Sequence, residues 1–282
     1  MLRFAVSIKR SVEQFTRGLP SRIMLAMLLV LAPPEDEVAT RFERMVRSRG
    51  VGVARAAIGT VSMQVELTRS GTASVELRAL GARVHGVLNR GLSIDSESQF
   101  EDSERLAAWW SALAYFPGPV VNRPSRLGFL PELDVLSLVE RVPNLDLAPM
   151  HIGSKTPPSL TGSITNIHSA RDGRFLGRGN LHGEEELCLF TGFDPERTCR
   201  ILWAGDKSFA TDIKPSASIG AAGVIKALGK ELRSLSATFS LVVLQVSSSS
   251  IELVHATPVP NLSNFMELEE DVYEALLNHL LQ

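Results

Sequence analysis

Residues 240–281 read "SLVVLQVSSSSIELVHATPVPNLSNFMELEEDVYEALLNHLL". With Phe239 in front, they predict two β-strands, Phe239–Val246 and Ile251–Ala256, joined by the serine run Ser247–Ser250. A turn rich in Pro and Asn follows, then an acidic amphipathic helix. The segment just upstream extends this pattern. "GVIKALGKELRSL" predicts a helix, and "EELCLFTGFDPERTCRILWAGDKSFATDIKP" predicts three strands, with Gly205-Asp206 as a hairpin signal. Together these form an antiparallel α+β layer. Between residues 153 and 183 the chain is rich in Gly, Ser, Thr and Pro, and reads as loop with one strand pair. "LPELDVLSLVERV" predicts a short helix before it.

The first half has a different rhythm. "MLLVLA" is apolar throughout, as a strand buried on both faces should be. "PEDEVATRFERMVRSRG" predicts a helix with acids at its start, one apolar face (Val38, Phe42, Met45, Val46), and Gly50 as its stop. A strand "VGVARAAI", a hairpin turning at Ser70-Gly71, the strand "VHGVLNRG", a long helix "SESQFEDSERLAAWWSALAYF" and a short strand "VVNRPS" complete a β-α-β-β-β-α-β order. The expected organisation is an extension over residues 1–23, an α/β domain over 24–125 and an α+β domain over 126–282.

Composition narrows the class of protein. The chain has 282 residues, 44% hydrophobic and 21% charged, with a formal net charge of −2. That suits an ordinary globular chain and argues against general binding to nucleic acid. Basic residues before "IMLAMLLVLAPP" imitate a signal peptide, but the apolar run is too short to span a bilayer and reads as the first strand. A cytoplasmic protein without a membrane span is expected. Met24 and Met27 offer alternative starts, so residues 1–23 read as a flexible extension or a mis-assigned start. Cys188 and Cys199 fall on strands expected to pair. Without CxxC spacing they read as buried thiols rather than a zinc site or disulfide. No GxSxG, HExxH or Walker-type phosphate loop occurs.

The order of these elements resembles the ATP-grasp ligases, and most closely the branch that matures ribosomal peptides. "MLLVLAPPEDEVATRFERMVRSRG" is similar to the first strand and helix of that branch's N-terminal domain, and "VHGVLNRG" to a later strand ending in Arg. "WWSALAYFPGPVVNRPSRLGF" resembles its helix–strand passage ending in Asn122-Arg123-Pro124. "CRILWAGDKSFATDI" resembles its strand–Gly-Asp–strand element. The resemblance implies a Rossmann-like pre-ATP-grasp domain followed by an abridged ATP-grasp domain with an antiparallel sheet. It also implies a groove, for which Arg123, Arg200, Asp206 and Asn261 are candidates.

The departures bear on chemistry. In the family an Asp on the first closing strand, a Glu late in the second and an Asn two residues on hold magnesium. Those places read here as Ser240, His255 and Thr257, degenerate as metal ligands. Mg²⁺ is hard and takes carboxylate or carbonyl-type oxygens, whereas imidazole suits zinc or copper. Neither phosphate-clamping lysine can be placed: Lys155 precedes Thr-Pro-Pro, and Lys214 falls after the Gly-Asp element. The space for a lid is short. These features point to an ATP-grasp-like pseudoenzyme without cofactor or metal. Its partner would be a peptide, a modifying enzyme or, as a homodimer, a second copy. Two alternatives stay open: an active carboxylate–amine ligase using ATP and Mg²⁺, and a biosynthetic enzyme with a repurposed metal or small-molecule site at His255. "HGEEE" (His182, Glu184–Glu186) reads as a solvated acidic edge.

Overall fold

The structure is a computed structural model. It describes residues 27–56, 61–67, 73–91, 99–126, 128–148, 150–153, 164–169, 175–178, 188–193, 197–211, 218–247 and 249–282. The extension 1–23, the Ser70-Gly71 turn, Lys155, His182, Glu184–Glu186 and Lys214 lie outside those residues.

The first half is built on β1 (Met27–Leu31), whose five residues are all buried. β1 runs parallel to β2 (Gly52–Arg55) on one side and β5 (Ala82–Asn89) on the other. That placement explains why its sequence does not alternate: both faces are covered. β3 (Val61–Leu67) and β4 (Ala73–Ala79) join antiparallel beyond β5, and β6 (Val120–Val121) pairs β5 in parallel. α1 (Glu37–Ser48) is capped by Asp36, whose Oδ1 accepts the Ala39 amide at 2.8 Å. It buries Ala39, Phe42 and Val46, and ends where Gly50 takes φ +74°. α2 (Gln99–Tyr115) returns the chain to β6. The observed order is β-α-β-β-β-β-α-β, one strand more than the order written from the sequence, because the hairpin contributes two strands, β3 and β4.

The second half differs from expectation in its middle. α3 (Val135–Arg141) and β7 (Asp146–Leu147) are followed by β8 (Met150–Gly153), β9 (Ile164–Ser169), β10 (Phe175–Arg178) and β11 (Cys188–Phe193). These make a four-stranded antiparallel sheet ordered β10-β9-β11-β8, in which β9 and β10 are the strand pair expected between residues 153 and 183, β11 is the first of the three strands expected after it, and β8 is the strand the sequence did not show. Short strands with polar, turn-forming residues between them carry too weak an alternation to be read singly. β12 (Thr198–Ala204), β13 (Lys207–Thr211), α4 (Ser218–Ser234), β14 (Phe239–Val246) and β15 (Ile251–Thr257) follow, and a 3₁₀ turn leads into α5 (Glu269–Leu280). The second sheet has five strands ordered β13-β12-β14-β15-β7. Cys188 lies on β11 and Cys199 on β12, so the two cysteines belong to different sheets and do not face each other across a strand pair. Cys199 is a buried free thiol.

One core crosses the boundary between the halves. Leu28, Val30 and Phe42 of the first half pack with Leu202, Phe239 and Leu241 of the second, and α5 supplies Val272, Leu276 and Leu280. The other face of the five-stranded sheet packs on α3 and α4 through a second cluster that includes Leu138, Ile201, Trp203, Leu228 and Val242. Gly86 on β5 explains how α5 approaches so closely: a Cβ there would lie 2.6 Å from the Leu280 carbonyl.

Candidate functional site

The closing hairpin positions the residues singled out in the sequence, and its register decides which can act together. Cross-strand partners in a sheet share a face, and successive residues alternate. Val243 pairs with His255, and Leu241 with Thr257. Phe239, Leu241 and Val243 belong to the face that meets the first half. Ser240 lies on the opposite face. It pairs with Trp203 of the α3/α4 cluster, is fully buried, and its Oγ donates to the Ala237 carbonyl at 3.1 Å. The three positions assigned to degenerate metal ligands therefore do not converge. His255 and Thr257 share a face whose first-strand neighbours are Val243 and Leu241, both apolar.

A register shift in this hairpin falls between Val243 and Leu244, and Val254 is the unpaired residue opposite it. Gln245 pairs with Glu252 and Val243 with His255, so Glu252 and His255 share a face although they are three positions apart. Sequence alternation alone would place them on opposite faces. The outer part of this face is polar. Arg200 pairs with Val243 on β14 and Thr211 on β13, so Arg200 and His255 flank Val243 in one cross-strand row. Thr198, Gln245 and Glu252 make the adjacent row. Gln245 Nε2 donates to Glu252 at 3.3 Å, and Ser250 Oγ donates to its other oxygen at 3.2 Å. Glu252 is thus the carboxylate this face presents from β14 and β15. Among the described residues no three His, Cys, Asp or Glu side chains cluster to hold a metal ion.

The other groove candidates go elsewhere. Arg123 grips the end of α2: Nη1 donates to the carbonyls of Leu113, Ala114 and Phe116 at 2.7–3.2 Å, and Nη2 to Gly118 at 3.0 Å. Burial lowers its pKa from the ordinary arginine value. It is a helix-capping side chain, which the letters Asn-Arg-Pro alone do not distinguish from a ligand-binding one. Asp206 is exposed at the β12–β13 turn, beyond the far end of β12 from Arg200, with Oδ2 at 4.0 Å from His279 Nδ1. His151 and His168 sit on β8 and β9, on either side of β11, opposite Phe190 and Leu189. Trp109 is buried in the first-half core, and Trp110 Nε1 donates to the Ser125 carbonyl at 2.7 Å.

Asn261 lines a second place of interest, a cleft of about 440 Å³ between the start of α1 and the turn after β15. It opens at the carboxyl ends of β1 and β5, where α/β sheets commonly bind ligands. Arg90 follows the tip of β5; its Nε donates to Asp36 Oδ2 at 2.8 Å and its Nη2 to the Pro260 carbonyl at 3.2 Å. Its guanidinium carbon lies 5.4 Å from the centre of the Phe239 ring. Burial pulls Arg90 below the ordinary arginine value, while Asp36 opposes that shift. The Arg90–Asp36 pair was not visible as a site in the sequence. Its one signal was an Arg ending an apolar strand, with an acid at the start of α1.

Between these places, Asn122 fastens the halves together. It adopts φ +59° and is fully buried. Its Nδ2 donates to the carbonyls of Phe239 and Pro258 at 2.9 and 2.6 Å, and its Oδ1 accepts the Phe239 amide at 2.9 Å.

No family model matches this chain, and no curated protein matches its sequence. Solved structures do. The macrocyclase MdnC from Microcystis aeruginosa MRC, bound with precursor peptide MdnA, superposes with a TM-score of 0.56 at 12% identity over 90% of this chain and 100% of that one. The ATP-grasp ligase PsnB, complexed with minimal precursor, Mg and ADP, gives a TM-score of 0.60 at 12% identity over 90% and 97%. The chain has the ATP-grasp fold. A RiPP-associated ATP-grasp ligase from Chryseobacterium gregarium, in complex with ADP and a leader and core peptide, shares it with a TM-score of 0.51 at 9% identity, over 91% of this chain and 96% of that one. No described helix is long and apolar enough to cross a membrane.

Proposed function

We propose that this ATP-grasp chain is a pseudoenzyme that binds a peptide, or the enzyme modifying one, and does not turn over ATP. The observation that carries this reading is the donor set on the closing hairpin. His255, Thr257, Val243 and Leu241 occupy the paired positions, and Glu252 is the carboxylate that the two strands offer on that face. Mg²⁺ demands near-octahedral oxygen ligation and dehydrates reluctantly. An imidazole, a hydroxyl and two aliphatic side chains do not meet that demand, so the residues present do not fit the ion. Losing charge stabilisation at a phosphoryl-transfer centre costs several kcal/mol per partner.

Peptide binding draws its support from fold neighbours, among them MdnC bound with precursor peptide MdnA and the Chryseobacterium gregarium ligase in complex with a leader and core peptide. The polar outer rows of the sheet face offer Arg200, Gln245 and Glu252 as contacts. Edge strands such as β13, at one end of the five-stranded sheet, offer backbone pairing to an extended segment. The test pairs two measurements on the full chain. Titration of fluorescent candidate precursor peptides should give saturable anisotropy changes without nucleotide. Coupled detection of ADP with the same peptides should stay at background, and peptide-dependent ADP release would establish the active-ligase reading instead.

A further inference from the structure

The first-half sheet ends on a strand unlike the other edges. In the order β2-β1-β5-β4-β3, β3 is terminal, and among the described residues no strand lies beyond it. Edge strands present unpaired N–H and C=O groups, and natural sheets blunt them by shortness, bulges, Pro or Lys. The other terminal strands described are short. β7 has two residues, β2, β8 and β10 have four each, and β13 has five, Lys207 among them. β3 has seven, VSMQVEL, without Pro, Gly, Lys or Arg. Its register with β4 is unshifted from Val61 to Leu67.

Its two rows are equally regular. Positions 61, 63, 65 and 67 are all apolar and oppose Ala79, Leu77, Val75 and Ala73 of β4. Val75, Leu77 and Ala79 are buried with Trp109 and Leu113 of α2, and Val61 and Met63 pack at the rim of that cluster, half-buried. The apolar row of the sheet therefore continues onto the edge strand. The other row holds Ser62, Gln64 and Glu66. Ser62 and Gln64 are exposed. Such a strand is self-complementary in the antiparallel sense. Directly opposed residues share a face, so both faces continue across a new pairing only where odd positions meet odd ones. About a two-fold axis at Gln64, Val61 opposes Leu67, Met63 opposes Val65, Ser62 opposes Glu66, and Gln64 opposes its own copy. Apolar positions meet apolar ones, and the strand's single charged residue meets a serine. Any other centre shortens the pairing, and one at Glu66 sets two carboxylates against each other.

We propose that two copies of this chain join β3 to β3 in antiparallel register about Gln64, making one continuous sheet through both first halves. The same patch serves both copies, so the pairing closes at two. The interface is independent of the peptide reading, so either can fail without the other.

The test is cross-linking and sedimentation of the full chain. Facing Cα atoms in an antiparallel pair lie about 4.5–5.5 Å apart, within disulfide reach. Gln64→Cys should therefore give a disulfide-linked dimer on mild oxidation, beyond any formed by the parent. Ser62→Cys would stand about 13 Å from its own copy and should not link to itself, yet should link to Glu66→Cys when the two variants are mixed. Sedimentation of the parent should show a dimer at about 50 µM chain that dissociates on dilution, as suits a small interface. Gln64→Lys puts two like charges on the axis and should weaken that dimer about fivefold. A parent that stays monomeric at every concentration overturns the proposal, as does a dimer that neither Gln64→Cys nor the mixed pair links. So does a Ser62→Cys variant that links to itself as readily as Gln64→Cys. A monomer whose affinity for a precursor peptide falls in Gln64→Lys also overturns it, and assigns the edge to an extended peptide.

Discussion

Replacing Asn122 with alanine should loosen the joint between the two halves of the molecule. The side chain satisfies two buried carbonyls, of Phe239 and Pro258, and one buried amide, of Phe239, at 2.6–2.9 Å. Leaving buried groups unpaired costs about 1–3 kcal/mol each, less what entering water recovers. The backbone at φ +59° adds about 1 kcal/mol for alanine, since Asn tolerates the left-handed region better than other residues with a Cβ. Asn122→Ala should therefore destabilise the fold by about 3–5 kcal/mol. Asn122→Gly removes the conformational cost and should recover about 1 kcal/mol of that loss. Urea unfolding followed by tryptophan fluorescence and circular dichroism measures both. Trp109 and Trp110 report on the first half and Trp203 on the second, so coincident transitions show that the halves unfold as a unit. If both variants lie within about 1 kcal/mol of the parent, Asn122 does not fasten the halves and this reasoning fails.

Three further outcomes follow from the same contacts. Arg123→Ala uncovers four carbonyls at the end of α2 and should cost about 2–3 kcal/mol in urea while leaving peptide affinity within twofold; unchanged stability with lost affinity would return Arg123 to the groove. Gly86→Ala drives a Cβ to 2.6 Å from the Leu280 carbonyl and should cost about 1–3 kcal/mol, and a neutral result would mean α5 does not lie against β5. The Tyr273 phenol is raised well above its usual pKa by burial and by its hydrogen bond to Glu269, so the fold prefers it neutral. Its contribution is fully present below the unfolded tyrosine value of about 10 and is lost as pH rises from there toward the folded one. Stability should fall through that window, and Tyr273→Phe should flatten the fall; an identical slope in the variant contradicts the assignment.

The first half was legible because its signals are local and redundant. Asp36 before an apolar stripe and Gly50 after it mark α1, and an unbroken apolar run marks β1. The closing hairpin was legible as two strands but not in its facing. The irregularity at Val254 leaves no mark in a run of Ile, Leu and Val, yet it moves Glu252 onto the face of His255. Ser240 was taken as a ligand position from the resemblance alone, and the hairpin register puts it on the face opposite His255 and Thr257. Arg123 and Arg90 show the same limit. Both are arginines beside a strand end, and only tertiary contacts make one a helix cap and the other the floor of a cleft. Of the sheet β8 to β11 it was β8 (Met150–Gly153) that escaped, because four residues are too short to show an alternation and its partner β11 is distant in sequence.

The most direct measurement is isothermal titration of the full chain with ATP in excess Mg²⁺, repeated with EDTA. A hairpin face offering His255, Thr257 and aliphatic neighbours should give no saturable heat in either buffer. Saturable binding that requires Mg²⁺ and is lost in Glu252→Gln would contradict that, and would return this chain to the working ligases.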